Sequence, residues 1–336
     1  MDGQFSLRPV REHSIPHATS RPWVRYLTTV GITVALLVTT YAGALAMLQQ
    51  SANLPPPPIV NEVCADEKLQ WLRNNAPDLP STLVVGSSVA FRNVDVGQLA
   101  VPAMTQPLNG GMCHLKLNQT AFVTGYLLRH FPSVRTVTAV VAPQDLDNCT
   151  KAPAQIFDPA TADAYVFDHR WPYRFYFSQF DFISLVRNAV LIRGMREARN
   201  PLDPLMITRY GDGPLDTNLS RGLTYGKFPG YDPACFTALH DLASAVVSGG
   251  RRFLVATSPL SPAWSARYDP SGQLHADMAA DVQSALHSTG SEFWDGGRLF
   301  AGAQSEFTDA IHIRWSAAQR YGAMLAAALN GSREQL

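Results

Sequence analysis

Residues 82–88 read Thr-Leu-Val-Val-Gly-Ser-Ser, a short β-branched run that ends in a glycine and two serines. A continuous apolar run of this length predicts a strand that is covered on both faces, as in a parallel sheet. Two further runs of this kind follow later in the chain, TVTAVVA at 136–142 and FLVAT at 253–257. The three runs predict a sheet that lies between layers of helix.

Helical patterns alternate with these runs, at residues 115–130, 180–199, 233–247, 274–287 and 316–329. Alternating strands and helices predict an α/β domain of three layers with a mostly parallel sheet. Two insertions interrupt the alternation. Residues 165–182 are rich in aromatic side chains, which fit either a sugar-stacking surface or core packing. Residues 203–233 predict a long irregular loop, a candidate lid.

The composition limits the classes of protein to which the chain can belong. The chain has 336 residues, of which 46% are apolar and 16% charged, so it can bury a sizeable core. Lys+Arg and Asp+Glu both total 27, which gives no net charge. Because nucleic-acid binding needs a positive field, we do not expect a nucleic-acid partner.

An uncharged, mostly apolar stretch occupies residues 27–48 and predicts one transmembrane helix, since about 20 such residues span a bilayer core. Four arginines precede it, whereas the first charged residue after it is Glu62. The positive-inside rule therefore puts residues 1–26 in the cytoplasm and the rest outside. The alternative is a cleaved signal peptide, because Ala44-Leu45-Ala46 has the small-x-small form. Residues 49–58 contain four prolines and predict a stiff linker before a domain at 59–336.

All four cysteines follow the predicted anchor: Cys64, Cys113, Cys149 and Cys235. An even number outside the cytoplasm favours disulfides, but three pairings are open, as are unpaired thiols. No cysteine or histidine spacing is typical of a zinc site, so we expect no metal.

Two polar motifs carry the candidate chemistry. In an open α/β sheet, ligands bind beyond the carboxyl ends of the strands, which is where Ser87 and Ser88 lie. Asp309 and His312 are spaced so that the carboxylate accepts from the imidazole and leaves Nε2 free to take a proton from a hydroxyl. The alternatives are a helix cap and a surface histidine. The other histidines considered have no acidic residue at a comparable spacing, so we predict surface or packing roles for them: His114, His130, His240 and His275.

Four blocks follow one another in a recognisable order: Gly86-Ser87-Ser88, Asn109-Gly110-Gly111, Gln144-Asp145 and Asp309-x-x-His312. This order resembles the SGNH/GDSL hydrolase superfamily, over about residues 83–329. It is most similar to a divergent, membrane-anchored bacterial branch that includes relatives of polysaccharide O-acetylation proteins. The resemblance implies a three-layer α/β/α, flavodoxin-like fold.

The resemblance also implies roles for single residues. Ser88 matches the nucleophile, His312 the general base and Asp309 the residue that orients it. The N–H groups of Ser88 and Gly110, with Gly111 as the alternative, match an oxyanion hole.

The sequence departs from the family pattern in two places. The family has an aspartate where this chain has Ser87, so Ser87 remains a second candidate nucleophile. The family also has an oxyanion asparagine after a later strand, which leaves Gln144 or Asn109 to supply that amide.

The resemblance and the predicted topology together imply a function. We expect a serine esterase or O-acyltransferase, with acetyl as the expected acyl group, that acts on an exopolysaccharide or cell-envelope glycan. It would be a single-pass protein of the bacterial inner membrane with a periplasmic domain. Its expected partners are the glycan or acyl-ester substrate and a membrane-bound acyltransferase or polysaccharide synthase complex. No cofactor is implied. The alternative is an inactive binding or scaffold module of such a complex.

Overall fold

The computed structural model describes residues 21–100, 106–197 and 202–331. Most of the predicted cytoplasmic tail, residues 1–20, lies outside these ranges, as do the last five residues of the predicted domain. The chain divides into two compact units, Met1–Ala52 and Asn53–Leu336. They are described separately.

The first unit contains one long helix, α1 (Arg21–Gln50). Its segment Pro22–Gln50 is long and apolar enough to cross a membrane, by length and composition. Inside the apolar stretch, the hydroxyl of Thr39 donates to the carbonyl of Ala35 at 2.7 Å. Such a bond to the preceding turn gives a polar side chain a partner where lipid offers none. The helix extends a few residues beyond 27–48 at both ends.

The second unit is built on five parallel strands in the order β2-β1-β3-β4-β5. They are β1 (Thr82–Gly86), β2 (Pro107–Asn109), β3 (Thr136–Val141), β4 (Arg252–Thr257) and β5 (Glu292–Trp294). This is the flavodoxin-like order. The predicted α/β fold with a parallel sheet is confirmed. The chain reverses its direction of winding between β1 and β3, and ligands bind at such a switch point.

Side chains on the two faces of the sheet belong to two separate cores. Leu83, Val85 and Val137 pack on one side, and Val84 and Val140 on the other. Because successive side chains of a strand point to opposite faces, continuous apolar runs here mean that both faces are covered by helices. The helices of this unit are α2 (Val63–Asn75), α3 (Ser88–Asn93), α4 (Leu117–His130), α5 (Pro159–Val166), α6 (Tyr173–Ser178), α7 (Phe182–Glu197), α8 (Pro233–Ser248), α9 (Pro262–Tyr268), α10 (Gln273–Leu286), α11 (Gly296–Leu299) and α12 (Trp315–Gly331).

The aromatic insertion, residues 165–182, contains the end of α5 and all of α6, and its side chains lie in two environments. Tyr165, Phe175 and Tyr176 are buried, as expected for core packing, whereas Trp171 is exposed. The hydroxyl of Tyr176 donates to the carbonyl of Pro55. The proline run is largely buried, and the predicted stiff linker at 49–58 belongs to the second unit from Asn53 onward.

Two disulfides connect the four cysteines, Cys64–Cys113 and Cys149–Cys235. The first joins the start of α2 to the segment after β2. The second joins the segment after β3 to the start of α8. Each bridge therefore fixes one connection that leaves the carboxyl edge of the sheet.

The predicted irregular loop contains neither helix nor strand between residues 202 and 232, in the described part of the chain. It is nevertheless held in place by backbone bonds. Gly213 N–H donates to Phe91 O at 2.8 Å, and Trp315 N–H to Leu215 O at 3.2 Å. The loop is thus packed against α3 and the start of α12.

Candidate functional site

Three predicted residues form one hydrogen-bonded chain at the carboxyl edge of the sheet. Ser88 Oγ lies 2.8 Å from His312 Nε2, and His312 Nδ1 lies 2.8 Å from Asp309 Oδ2. All three residues are buried. The structure therefore brings together the hydroxyl, the imidazole and the carboxylate in the order that nucleophilic serine chemistry requires.

The turn before Ser88 depends on a glycine. Gly86 has φ +143°, and a Cβ at this position would lie 2.3 Å from the carbonyl oxygen of Val140. No side chain fits this close approach of two strands. The chain can therefore leave β1 sharply, and Ser88 becomes the first residue of α3.

The turn that carries the histidine is held by its own carboxylate. Asp309 Oδ1 accepts from the backbone N–H groups of Ile311 and His312, both at 2.9 Å, while Oδ2 accepts from the imidazole. Burial alone would raise the pKa of Asp309, but the imidazole and these N–H groups outweigh burial and lower it. The carboxylate is thus kept ionised and in position to stabilise an imidazolium.

Asn93, which sequence reasoning missed, connects this turn to the helix of the serine. Its Nδ2 donates to Ile311 O at 2.7 Å and to Ser258 Oγ at 2.8 Å. Its Oδ1 accepts from Ile313 N–H at 3.1 Å. Ser88 and Asn93 begin and end α3, so one short helix positions both halves of the site. A lone asparagine gives no such signal in a sequence.

The irregular loop also supports the histidine turn. Arg221 N–H donates to Thr308 O at 2.6 Å. The Arg221 guanidinium lies 3.9 Å from Asp309 Oδ2 and is ion-paired with Asp203. The ring of Tyr225 stands 6.0 Å from the imidazole of His312. Only the part of the predicted lid around Tyr225 therefore borders the site. Arg221, in the same loop, holds the histidine turn in place.

Ser87 has a different environment from Ser88. Its hydroxyl is hydrogen-bonded to the carboxyl of Asp145 and accepts from Val89 N–H at 3.4 Å. Asp145 in turn accepts from Ala142 N–H at 2.9 Å. Burial raises the pKa of Asp145 to about 7. Of the two serines, Ser88 is the one hydrogen-bonded to a histidine.

Two predicted oxyanion residues are already engaged, and this part of the prediction needs correction. Gly110 N–H donates to Val84 O at 2.7 Å because the chain continues the sheet pairing of β2. Asn109 donates to Ala90 O and to Asp212 Oδ1, and its own oxygen accepts from Gly111 N–H. These groups hold the segment after β2 in place and have no free donor for a substrate oxygen.

Gln144 differs from these residues. Its Nε2 donates to none of the described residues, and its buried Oε1 has no hydrogen-bond partner among them. Gln144 follows β3 and lines the same cavity as Ser88. The N–H of Ser88 likewise has no partner among the described residues. A side-chain amide and a backbone N–H therefore remain as candidate oxyanion donors.

A cavity of about 320 Å³ opens beside Ser88. One part of its lining is apolar or aromatic, with Leu115, Ile311, Tyr225, Phe228 and Pro229. The other part is polar: Ser87, His114, Lys116, Gln144, Asp145 and Asp147. The cavity thus offers both apolar and polar groups to a bound molecule.

Three histidines without an acidic residue at a comparable spacing have an acidic partner from a distant part of the chain. His130 lies 2.8 Å from Asp163, His275 lies 2.8 Å from Asp295, and His114 lies 3.6 Å from Glu62. None of these pairs is joined to a serine through the histidine in the described ranges. Within residues 21–100, 106–197 and 202–331, no group of three or more His, Cys, Asp or Glu is arranged to hold a metal ion.

No protein-family model matches this sequence, and no curated protein matches it. The resemblance to the SGNH/GDSL superfamily therefore rests on the four blocks of the sequence.

Proposed function

We propose that this chain is a membrane-anchored serine esterase or O-acyltransferase. The observation that carries the proposal is the chain Ser88–His312–Asp309, with both hydrogen bonds at 2.8 Å. The distance between serine and imidazole allows direct proton transfer, and the buried carboxylate favours the imidazolium that results.

The proposed reaction has two halves. Ser88 Oγ attacks the carbonyl carbon of an ester while its proton passes to His312 Nε2. The tetrahedral intermediate collapses, the ester C–O bond breaks, and His312 returns the proton to the leaving alcohol, which leaves an acyl-serine. Water or a sugar hydroxyl then attacks the acyl-serine, gives its proton to His312, and releases Ser88. Hydrolysis and transfer differ only in this acceptor.

The cavity favours a small acyl group on a polar alcohol. A volume of about 320 Å³ corresponds to about ten water molecules, which suits a short ester such as an acetylated sugar. The apolar part of the lining fits the acyl methyl, and the polar part fits hydroxyl groups. We propose that the acceptor or donor is an exopolysaccharide or another cell-envelope glycan, because an outward-facing domain would meet such molecules.

The location is part of the same proposal. α1 would hold the chain in a bacterial inner membrane, with the N-terminus in the cytoplasm and the domain in the periplasm, as the arginines before the helix favour. A membrane-bound acyltransferase or polysaccharide synthase complex is the proposed partner.

An activity probe tests the nucleophile. The full chain in detergent is treated with a fluorophosphonate, and labelling is compared in wild type, Ser88→Ala and the matched neighbour Ser87→Ala. We expect labelling of wild type and Ser87→Ala and none of Ser88→Ala. The conservative variant Asp309→Asn should slow labelling by several orders of magnitude, because the imidazole then adopts the wrong tautomer.

The second candidate is a binding or scaffold module that keeps the fold without the chemistry. It is favoured by one observation, the engagement of Gly110 and Asn109 in structural hydrogen bonds. A folded wild-type protein that takes up no fluorophosphonate would support this module and contradict the enzyme. Loss of labelling in Ser87→Ala, with labelling kept in Ser88→Ala, would move the nucleophile.

A further inference from the structure

We propose that helix α7 lies on an anionic lipid surface, with its outer face in the headgroup region of the bilayer that holds α1. This inference rests on the membrane-anchored part of the proposed function and is independent of the chemistry at Ser88.

The outer face of α7 is unusually apolar for a helix at the surface of a domain. Leu185, Ala189 and Ile192 are buried and lie on one side of the helix. On the other side, Ile183 is 79% exposed and Val190 is 69% exposed. A helix at a water-facing surface normally presents polar residues there.

The exposed side chains form one continuous stripe. Phe182, Ile183, Val186 and Val190 are spaced as i, i+1, i+4 and i+8, so they lie along one side of the helix, and Leu191 extends the stripe. In the rest of the described domain, beyond residues 171–191, the exposed large apolar residues lie far apart along the chain. They are Leu79, Met206, Leu219 and Leu299. A contiguous exposed patch, unlike scattered single residues, indicates an interaction surface.

The charge around the stripe favours an anionic lipid as its partner. Residues 168–197 contain five arginines and three acidic residues. Arg170 and Arg196 are paired with Asp168 and Glu67, and Arg174, Arg187 and Arg193 are the further positive charges. Arg187 is exposed on the helix beside the stripe, and Trp171, 64% exposed, precedes α6. Arginine and tryptophan beside an apolar helix face are typical of segments that lie in the interface of anionic membranes.

The link between α1 and the domain is short. Only Ser51 lies between the end of α1 at Gln50 and the last residue of its unit, Ala52, and the domain begins at Asn53. A tether this short gives the domain a high effective concentration at any membrane that contains α1. Weak interfacial binding by one helix is then sufficient.

The test uses the full chain in vesicles of phosphatidylcholine and phosphatidylglycerol. Because all four native cysteines are in disulfides, a cysteine introduced at Ile183 or Val190 is labelled alone with an environment-sensitive fluorophore. Leu79→Cys and Leu299→Cys are matched controls, since Leu79 is 70% and Leu299 61% exposed. We expect a blue shift and quenching by brominated lipids at Ile183→Cys and Val190→Cys, and neither at the controls.

Further arms separate the other occupants. Adding Arg187→Glu to the labelled variants should reduce the quenching by brominated lipids. Replacing the mixed vesicles by vesicles of phosphatidylcholine alone should reduce it as well. A signal that grows with the protein-to-lipid ratio would indicate a second copy of the chain and overturn the proposal. The proposal would also be overturned if the fluorophores remained exposed to water in vesicles of lipid alone and their emission shifted only when other membrane proteins were present. Fluorophosphonate labelling in the same samples reports the active site separately, so failure of one proposal is distinguishable from failure of the other.

Discussion

Ser87 and Ser88 are neighbours in the sequence, yet the fold gives them different partners. Ser88 faces the imidazole of His312, whereas Ser87 is bonded to the carboxyl of Asp145. Because Asp145 also accepts from Ala142 N–H, the pair joins the ends of β1 and β3 directly beneath the cavity. Ser87 is therefore better suited to fixing the position of Ser88 than to replacing it.

The buried Asp145 should make stability depend on pH. Its pKa is raised from 3.8 to about 7, so the folded state keeps a proton that the unfolded state releases between these values. The stabilisation from this proton is complete below pH 3.8 and is lost as pH rises through about 7. One pKa unit corresponds to 1.36 kcal/mol, which sets an upper limit of roughly 4 kcal/mol.

Denaturant unfolding of wild type and Asp145→Asn measures this effect. We expect the stability of wild type relative to Asp145→Asn to fall between pH 4 and pH 7.5 and to level off above. Asp232→Asn is a control of opposite sign, since hydrogen bonds lower the pKa of Asp232. A difference between wild type and Asp145→Asn that does not change with pH would contradict the assignment.

The sequence predicts the three residues of the hydrogen-bonded chain better than the residues that support them. Ser88, Asp309 and His312 are recognisable because their types and local spacing suit one chemistry. Asn109 and Gly110 have equally suitable types, but their donors are used by Asp212, Ala90 and Val84, from other parts of the chain. No local pattern shows that a donor is already occupied.

At the level of elements, α3 is the piece that assembles the site. It is only six residues long, too short to be stable alone, so its position is set by its contacts. Its first residue is the candidate nucleophile. Its last residue, Asn93, makes three hydrogen bonds, one to Ser258 after β4 and two to the turn that carries His312.

Asn93→Ala should therefore damage both stability and the site. It leaves Ile311 O and Ile313 N–H buried without partners, at roughly 1–3 kcal/mol for each group. We expect a lower unfolding midpoint in denaturant and much slower fluorophosphonate labelling under native conditions.

Asn75→Ala is the matched control, because Asn75 donates only within its own helix, to Trp71 O at 3.1 Å. It should change both measurements little. Equal stability of the two variants would show that Asn93 does not hold the histidine turn.

Sequence patterns miss the elements β2, β5 and α2 for physical reasons. β2 and β5 have three residues each, and a period cannot be recognised over so short a length. α2 buries three charged residues, Asp66, Glu67 and Lys68. Asp66 is bonded to the N–H groups of Ile59 and Val60, and Glu67 is ion-paired with Arg196, so partners outside the helix make this burial acceptable.

At the scale of the whole molecule, α1 would decide where the proposed chemistry takes place. We expect the full-length protein to stay in the membrane fraction after alkaline carbonate extraction, since an apolar helix of this length is costly to remove from lipid. Mass spectrometry of the purified protein should find residues 1–26. A charged substitution near the centre of the helix, Leu36→Arg, should weaken retention by disfavouring insertion.

A mature N-terminus just after Ala46 would contradict this expectation and identify a cleaved signal peptide. Protease added outside spheroplasts tests orientation. It should digest the domain and spare the N-terminal tail.

Ser88 and His312 are separated by 224 positions along the chain. Under the proposed function, the hydroxyl therefore lacks its proton acceptor until the segment that carries His312 has been synthesised and has folded. A chain interrupted before this segment would display an inert alcohol rather than a reactive one. A nascent molecule of the proposed enzyme would thus be unable to attack esters near it before folding is complete.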